Sequence, residues 1–187
     1  MLEGEKNLIK AAKTGDSSSF GTLYDHYITP IYRFIYLKTS SREEAEDLTH
    51  EVFLSAWRNM PSYKHKGFPF SSWLYQIARN KVIDHFRTRK IMAPIEEIVQ
   101  SELDIPVLIN TENDLDLALD LEKIKYAMQF LPEEHQNVII MRFVEDMAPK
   151  EIAEILGKSE GSVRLVQHRA IRNLKSILQK NNKDNQV

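Results

Sequence analysis

The stretch PKEIAEILGKSEGSVRLVQHRAI, residues 149–171, decides the fold of this sequence. Its opening proline can begin a helix, and Gly157 can end that helix because glycine accepts a positive φ without a Cβ penalty. Ser159 is a suitable N-cap for the helix that follows. The small residue Ala153 stands four positions before Gly157, and the β-branched Val163 stands six positions after it. This spacing is typical of a DNA-binding helix-turn-helix.

The second helix of this motif is amphipathic, with a cationic outer face. Its apolar side consists of Val163, Val166, Ala170, Leu174 and Ile177. The candidate DNA contacts on the outer face and its edges are Ser162, Arg164, Leu165, His168, Arg169, Arg172 and Lys175. Arg164 and His168 lie nearest the N-terminal end, which usually reaches base edges in this motif, whereas the later cations are better placed for phosphates. A helical module that binds another protein is the alternative. The charged residues of the outer face are all basic, which favours DNA.

The rest of the chain also reads as helix, without a convincing alternating strand pattern, and an all-α protein is predicted. The helices outside the motif are expected at 3–13, from Asp16 with an interruption at Pro30, from a capping box of Ser40 and Glu43 to Pro61, at 70–90, at 117–131 and from Pro132. Residues 93–112 lack periodicity and read as a linker.

The net charge of −2 conceals an uneven distribution along the 187 residues. Residues 1–92 carry 14 Lys and Arg against 10 Asp and Glu, residues 93–118 carry none against 7, and residues 119–187 carry 11 against 10. The three parts therefore have charges of +4, −7 and +1. The near-neutral total is no argument against a nucleic-acid partner, because charge acts locally within ~8–10 Å at cellular salt.

Composition excludes several other classes of protein. The chain has no cysteine, which rules out disulfides, thiolate metal sites and a cysteine nucleophile. No apolar run approaches the ~18 residues needed to span a bilayer, and the first residues lack the apolar core of a signal peptide. A soluble, cytoplasmic protein is expected, with no membrane insertion of its own.

Three stretches, in this order, resemble bacterial sigma factors of the sigma-70 type, in the extracytoplasmic-function (ECF) group. They are SREEAEDLTHEVFLSAWRNM (41–60), FPFSSWLYQIARNKVIDHFRTRK (68–90) and LPEEHQNVIIMRFVEDMAPKEIAEILGKSEGSVRLVQHRAIRNL (131–174). The resemblance implies two small helical domains joined by an acidic flexible linker. It implies a region 2 domain at 1–92, the linker at 93–112, a region 4 domain at 113–182 and a tail at 183–187.

The same resemblance implies a function and its partners. The chain would bind core RNA polymerase at the clamp coiled coil and the flap, read the minus-thirty-five box as duplex, and capture the melted minus-ten box. An anti-sigma factor would be a further partner. The linker would thread through the polymerase near the template strand, where its negative charge resembles nucleic acid.

Residues of the first domain take roles from this resemblance. Those matching the polymerase-docking surface are Glu46, Asp47, His50 and Glu51. Those matching the minus-ten region are Tyr63, Lys64, Lys66, Phe68, Arg79, Asn80, Phe86, Arg87 and Lys90. Aromatic rings can stack on flipped bases and cations can follow the backbone, while an acidic surface suits a basic protein partner. A solvated acidic face is the alternative for the docking residues, and for Phe70 and Trp73 core packing is favoured over DNA contact.

The sequence departs from the family pattern in three places. Ala148 stands where a capping Ser or Thr is usual, so the following helix would start on its proline alone. Leu165 and Val166 replace a common Ser-Arg pair, which removes one phosphate contact and can alter base preference. His50 stands where Gln is usual.

Other functions find less support in the residues. His50 and Glu51 begin like a zinc-protease motif, but Leu54 stands where the second histidine is needed. We therefore expect no enzyme, no catalytic residue, no metal and no cofactor. A stand-alone helix-turn-helix regulator acting without polymerase is the main alternative, and a regulator that binds only proteins stays open.

Overall fold

The structure, a computed structural model, describes residues 2–65, 67–92 and 124–184, with side chains up to 89 and from 124 to 179. The chain divides into two compact units, built essentially from the N-terminal and the C-terminal helices. Within the described ranges every regular element is helical. The prediction of an all-α protein with two helical units is thereby confirmed, while the predicted linker 93–112 lies outside the described residues.

The N-terminal unit consists of four α-helices and one short 3₁₀ turn within the described residues. These are α1 (Glu5–Lys13), α2 (Ser17–Thr39), α3 (Arg42–Asn59), the 3₁₀ turn Met60–Ser62 and α4 (Phe70–Met92). The core side chains that are fully buried include Leu23, Ile31, Phe34, Val52, Leu74 and Tyr75. Each such side chain contributes about 1.5–3 kcal/mol through removal of apolar surface from water.

α2 continues through Pro30, where the sequence led us to expect an interruption. Proline removes one hydrogen bond of the helix, which would favour a break. Ile31 and Phe34, on the turn that follows, are both 0% exposed. Burial of these side chains offsets the lost hydrogen bond, so the helix reaches Thr39.

Two neighbouring serines divide the junction between α2 and α3. Ser40 ends α2 in the left-handed region, with φ 57°, and its N–H donates to the Tyr36 carbonyl at 2.8 Å. Ser41 caps α3, and its Oγ accepts from the Glu44 N–H at 3.3 Å. The predicted capping box of Ser40 and Glu43 is therefore wrong by one residue, because Ser40 is used to close the preceding helix.

α1 is fixed at both ends to other parts of the N-terminal unit. The Tyr27 hydroxyl donates to Glu5 Oε2 at 2.5 Å, and both residues are buried. Burial, together with this carboxylate, raises the pKa of Tyr27 above its usual range. At the other end of α1, Lys13 Nζ donates to the Tyr63 carbonyl at 2.7 Å. α1 thus fixes the start of the loop that leads into α4.

The C-terminal unit is a smaller helical array. Its elements are α5 (described from 124 to 129), α6 (Glu133–Ile139) with a π-helical turn Ile140–Val144, α7 (Pro149–Leu156) and α8 (Glu160–Asp184). α6 packs against α8. The core includes Ala127, Val138, Ile140 and Ile152, all 0% exposed. This core supports α7 and α8, which form the predicted motif.

Candidate nucleic-acid and polymerase interfaces

α7 and α8 form a helix-turn-helix with the geometry that the sequence predicted. Gly157 adopts φ 64°, and the Lys158 N–H donates to the Ala153 carbonyl at 2.8 Å, which closes α7. Ser159 Oγ accepts from the Ser162 N–H at 3.2 Å and so caps α8. Ala153 is 6% exposed. The motif is therefore confirmed at its turn, at its cap and at its small residue.

The N-terminus of α7 has hydrogen bonds that the sequence did not indicate. Glu151 Oε2 accepts from the Ala148 N–H at 2.9 Å, and the Glu151 N–H donates to the Ala148 carbonyl at 2.9 Å. The Glu151 carboxylate thus makes one of the two hydrogen bonds of a capping box, the one from the third helical position back to the N-cap N–H. Pro149 therefore does not organise this helix start alone, although Ala148 has no capping oxygen of its own.

α8 separates a buried face from an exposed cationic face. Val163, Val166 and Ala170 are buried, at 0%, 7% and 0% exposure. The exposed candidates are Arg164, Leu165, His168, Arg169, Arg172 and Lys175, while Ser162 is half-buried. The structure thus places these predicted residues on one helix and on its solvent side.

Arg164 already has an acidic partner on its own helix. Its Nη2 lies 2.6 Å from Glu160 Oε1. Exposed pairs of this kind contribute about 0–1 kcal/mol. Glu160 therefore orients the guanidinium of Arg164 at the N-terminal end of α8. The ion pair is weak enough for Arg164 to exchange it for a contact with a base edge or a phosphate.

The loop before α4 contains an aromatic cluster that is mostly buried. The ring of Tyr63 lies 5.4 Å from that of Phe70 and 4.8 Å from that of Trp73, between centroids. Tyr63 is 6% exposed and Phe70 is 1% exposed, and burial raises the pKa of Tyr63. The expectation that Tyr63 offers its ring to a base does not fit this position, because the rings of α4 cover it. Phe68 is half-buried, and it is the aromatic side chain of this loop with free surface.

The remaining minus-ten candidates lie mainly on exposed surface. Lys64 is exposed in the loop, and Asn80, Phe86 and Arg87 are exposed on α4, whereas Arg79 is partly buried. Phe86 is 39% exposed, so part of its ring is accessible to a partner. Two further candidates, Lys66 and the side chain of Lys90, lie outside the described part of the chain.

Ion pairs connect the basic helix α4 to the acidic helix α3. Lys81 Nζ lies 2.8 Å from Glu51 Oε2, and Arg89 Nη1 lies 3.0 Å from Glu44 Oε1. In the sequence, Asp84 is the sole carboxylate within the basic stretch of α4. The tertiary partners could not be read there, because they come from residues 30 to 45 positions earlier. The cationic surface of α4 is consequently weaker than its composition indicates.

The four polymerase-docking candidates share the outer side of α3. All of Glu46, Asp47, His50 and Glu51 are exposed. Arg42 Nε lies 2.8 Å from Glu46 Oε1, one turn away on the same helix. The acidic face therefore stands on a helix whose other side is packed into the N-terminal unit, which suits a rigid docking surface.

Large apolar side chains are exposed in the C-terminal unit, and the sequence reading missed them. Tyr126 and Phe130 are 46% and 58% exposed, with ring centroids 4.8 Å apart. Phe143 and Val144, at the end of the π-helical turn, are 55% and 42% exposed. We call these four residues the apolar set. The exposure of Tyr126 and Phe130 could have been predicted from the sequence, since neither residue falls on the apolar face of α5 that contains Met128.

Among the described residues, no group of His, Asp and Glu has the arrangement of a metal site. None of the helices described is long and apolar enough to cross a bilayer.

The fold and the helix-turn-helix define a two-unit, all-helical DNA-binding protein. The Sigma-70 region 2 family matches residues 23–91, and the Sigma-70 region 4 family matches residues 127–176. The ECF RNA polymerase sigma factor BldN of Streptomyces coelicolor is 34% identical over 91% of this chain, which spans 64% of that protein. The ECF RNA polymerase sigma factor SigW of Bacillus subtilis is 30% identical over 88% of this chain and 91% of its own length. The chain belongs to the ECF group of the sigma-70 family.

Solved structures agree with the fold. CnrH, in complex with the cytosolic domain of CnrY, has a TM-score of 0.72 at 20% identity and covers 94% of this chain and 97% of its own. The sigma factor RpoE of Bartonella quintana, in complex with the anti-sigma factor NepR, has a TM-score of 0.71 at 22% identity and covers 86% and 96%. Sigma factors are in general not enzymes.

Proposed function

We propose that this sigma factor directs core RNA polymerase to promoters by reading the minus-thirty-five box as duplex and capturing the melted minus-ten box. The observation that carries the proposal is the helix-turn-helix of α7 and α8, with its cationic face exposed. A stand-alone regulator is not favoured, because the region 2 match occupies residues 23–91, which such a protein would not need. The proposal makes the chain a non-catalytic subunit that works in the cytoplasm.

The C-terminal unit, which we assign to 113–182, would hold the minus-thirty-five box. The N-terminal end of α8 brings Arg164 and His168 to the base edges, since this end of a recognition helix enters the major groove. Arg169, Arg172 and Lys175 follow along the helix and are placed for phosphates. Together these contacts explain why a modest charge of +1 on residues 119–187 suffices: it is concentrated on one face.

The N-terminal unit, which we assign to 1–92, would capture the minus-ten box. Phe68 supplies a ring with free surface, and Lys64 beside it supplies a cation for the backbone. Tyr63 has a different role in this proposal: its buried ring packs on Trp73 and holds the loop in shape. Asn80, Phe86 and Arg87 extend the surface along α4, where an amide can read a base edge.

Polymerase would be bound by both units. The acidic face of α3 is suited to a basic partner such as the clamp coiled coil. The apolar set is suited to the flap, because exposed large apolar side chains often mark a protein-binding site. An anti-sigma factor would compete for these surfaces, as expected for a relative of a sigma factor solved with one.

The first test is transcription by purified components. The chain added to core polymerase is expected to start transcripts from members of a promoter library that core alone ignores. Sequencing of the selected promoters would show two conserved boxes at a fixed spacing. Absence of both core binding and redirected initiation would end the proposal, and binding to duplex without core would favour the stand-alone regulator.

Charge reversal on α3 tests the docking surface. Asp47→Lys is expected to weaken core binding about tenfold or more, because a close charge pair across the interface becomes repulsive. The fold should be unaffected, since Asp47 is exposed. Binding is measured by competition with a labelled wild-type chain. Asp25→Lys, an exposed carboxylate on α2, is the matched control. An equal loss of binding in both variants would show a general charge effect and would remove α3 from the interface.

A further inference from the structure

Leu165 is an apolar side chain on the cationic face of α8. It is 50% exposed, whereas the valines on either side of its position, Val163 and Val166, are buried at 0% and 7%. Its neighbours one turn further along are His168 and Arg169, both exposed. The leucine is therefore not part of the packing that holds α8 in place, and its surface faces the same side as the DNA-contacting candidates.

An exposed leucine at this place has a specific chemical counterpart in duplex DNA. The base edges of the major groove offer donors and acceptors at every pair, and one apolar group, the C5-methyl of thymine. Arg164, adjacent in sequence, and His168, one turn on, are polar and suit the donors and acceptors. A helix that brings these two residues to base edges carries Leu165 to the same depth of the groove.

We propose that Leu165 selects a thymine in the upstream box by covering its C5-methyl group. The inference rests on the proposed function, and it deepens that function by assigning one base preference to one side chain. The buried positions Val163 and Val166 fix the direction of the side chain, because they fix the rotation of α8 about its axis. The thymine lies next to the base pairs that Arg164 and His168 contact.

The experiment removes the methyl group from the DNA and the leucine from the protein in turn. Each thymine of the upstream box of a selected promoter, on either strand, is replaced by deoxyuridine, which pairs identically but lacks the methyl. Initiation by holoenzyme is expected to fall about three- to fivefold at one position, because the burial of one methyl group is lost. Leu165→Ala should lower initiation on the thymine template to a similar extent and should no longer distinguish thymine from deoxyuridine there.

The readout is the ratio of initiation on the thymine template to initiation on the deoxyuridine template. A general loss of activity lowers both values equally and leaves this ratio unchanged. Ile124→Ala, which removes an aliphatic side chain that is 41% exposed on α5, is the matched control and should keep the ratio of the wild type. The proposal is overturned if no position is sensitive to the methyl group, or if Leu165→Ala keeps the sensitivity. A failure of the proposed function looks different, because the wild-type holoenzyme would then start no transcripts from either template.

Discussion

Val163→Asp is expected to unfold the C-terminal unit and to abolish use of the upstream box. Val163 is 0% exposed, so the variant loses the burial of a valine, worth about 1.5–3 kcal/mol. It also places a carboxylate without a partner in the core of the motif, which costs several kcal/mol more. The sum approaches the stability of a whole domain, about 5–15 kcal/mol. Hydrogen exchange should show lost protection in α7 and α8 with protection kept in α2 and α3.

Two further variants separate folding from DNA contact in this unit. Val144→Asp makes the same chemical change at a valine that is 42% exposed, and its effect on unfolding should be small. Arg164→Ala should leave the unit folded and weaken use of the upstream box about five- to 150-fold, because a bidentate base contact is worth about 1–3 kcal/mol. Normal protection of α8 in Val163→Asp would contradict the place given to this residue in the core.

The helix-turn-helix was predictable because its determinants are local. Ala153, Gly157 and Val163 stand at fixed offsets, and each is required by the turn itself: a small residue, a positive φ and a buried anchor. The N-cap formed by Ser159 is local as well, because its partner is the Ser162 N–H three positions later. Such short-range rules depend on residues that lie within ten positions of one another, so they can be recognised in the sequence.

The sequence-based predictions that were wrong or incomplete concern two kinds of position. At one kind, two neighbouring residues are equally suitable helix caps, and at the other, residues distant in sequence determine the contacts. Ser40 and Ser41 are equally good caps by type, and the choice between them is made by the closure of α2. Tyr63 reads as a loop aromatic, yet Trp73 and its neighbours cover it once α4 has packed. The pairing of Arg89 with Glu44 spans 45 positions and depends on the packing of α3 against α4. Local spacing contains none of this information, because tertiary packing determines it.

The burial of Tyr63 leaves Phe68 as the residue on which promoter opening is expected to depend most. Phe68→Ala should lower initiation on intact duplex about five- to 150-fold, because the stacking of one base on an aromatic ring contributes about 1–3 kcal/mol. This stacking offsets the cost of flipping a base out of the duplex. A template with a mismatched bubble at the minus-ten box no longer has that cost, so the defect should be much smaller there. Runoff transcription on both templates measures the ratio.

The control for Phe68→Ala must remove an aromatic ring without touching the minus-ten surface. His26→Ala serves, since His26 is an exposed aromatic ring on α2 that the proposal assigns to no surface, and its loss should leave the ratio between duplex and bubble templates unchanged. Lys64→Ala should reproduce the Phe68→Ala pattern, and its defect relative to the wild type should shrink as the salt concentration rises, because the lost contact is with a phosphate. A thermal melt confirms that each variant is folded at the assay temperature. Equal defects of Phe68→Ala on duplex and bubble templates would show that Phe68 binds DNA without assisting its opening.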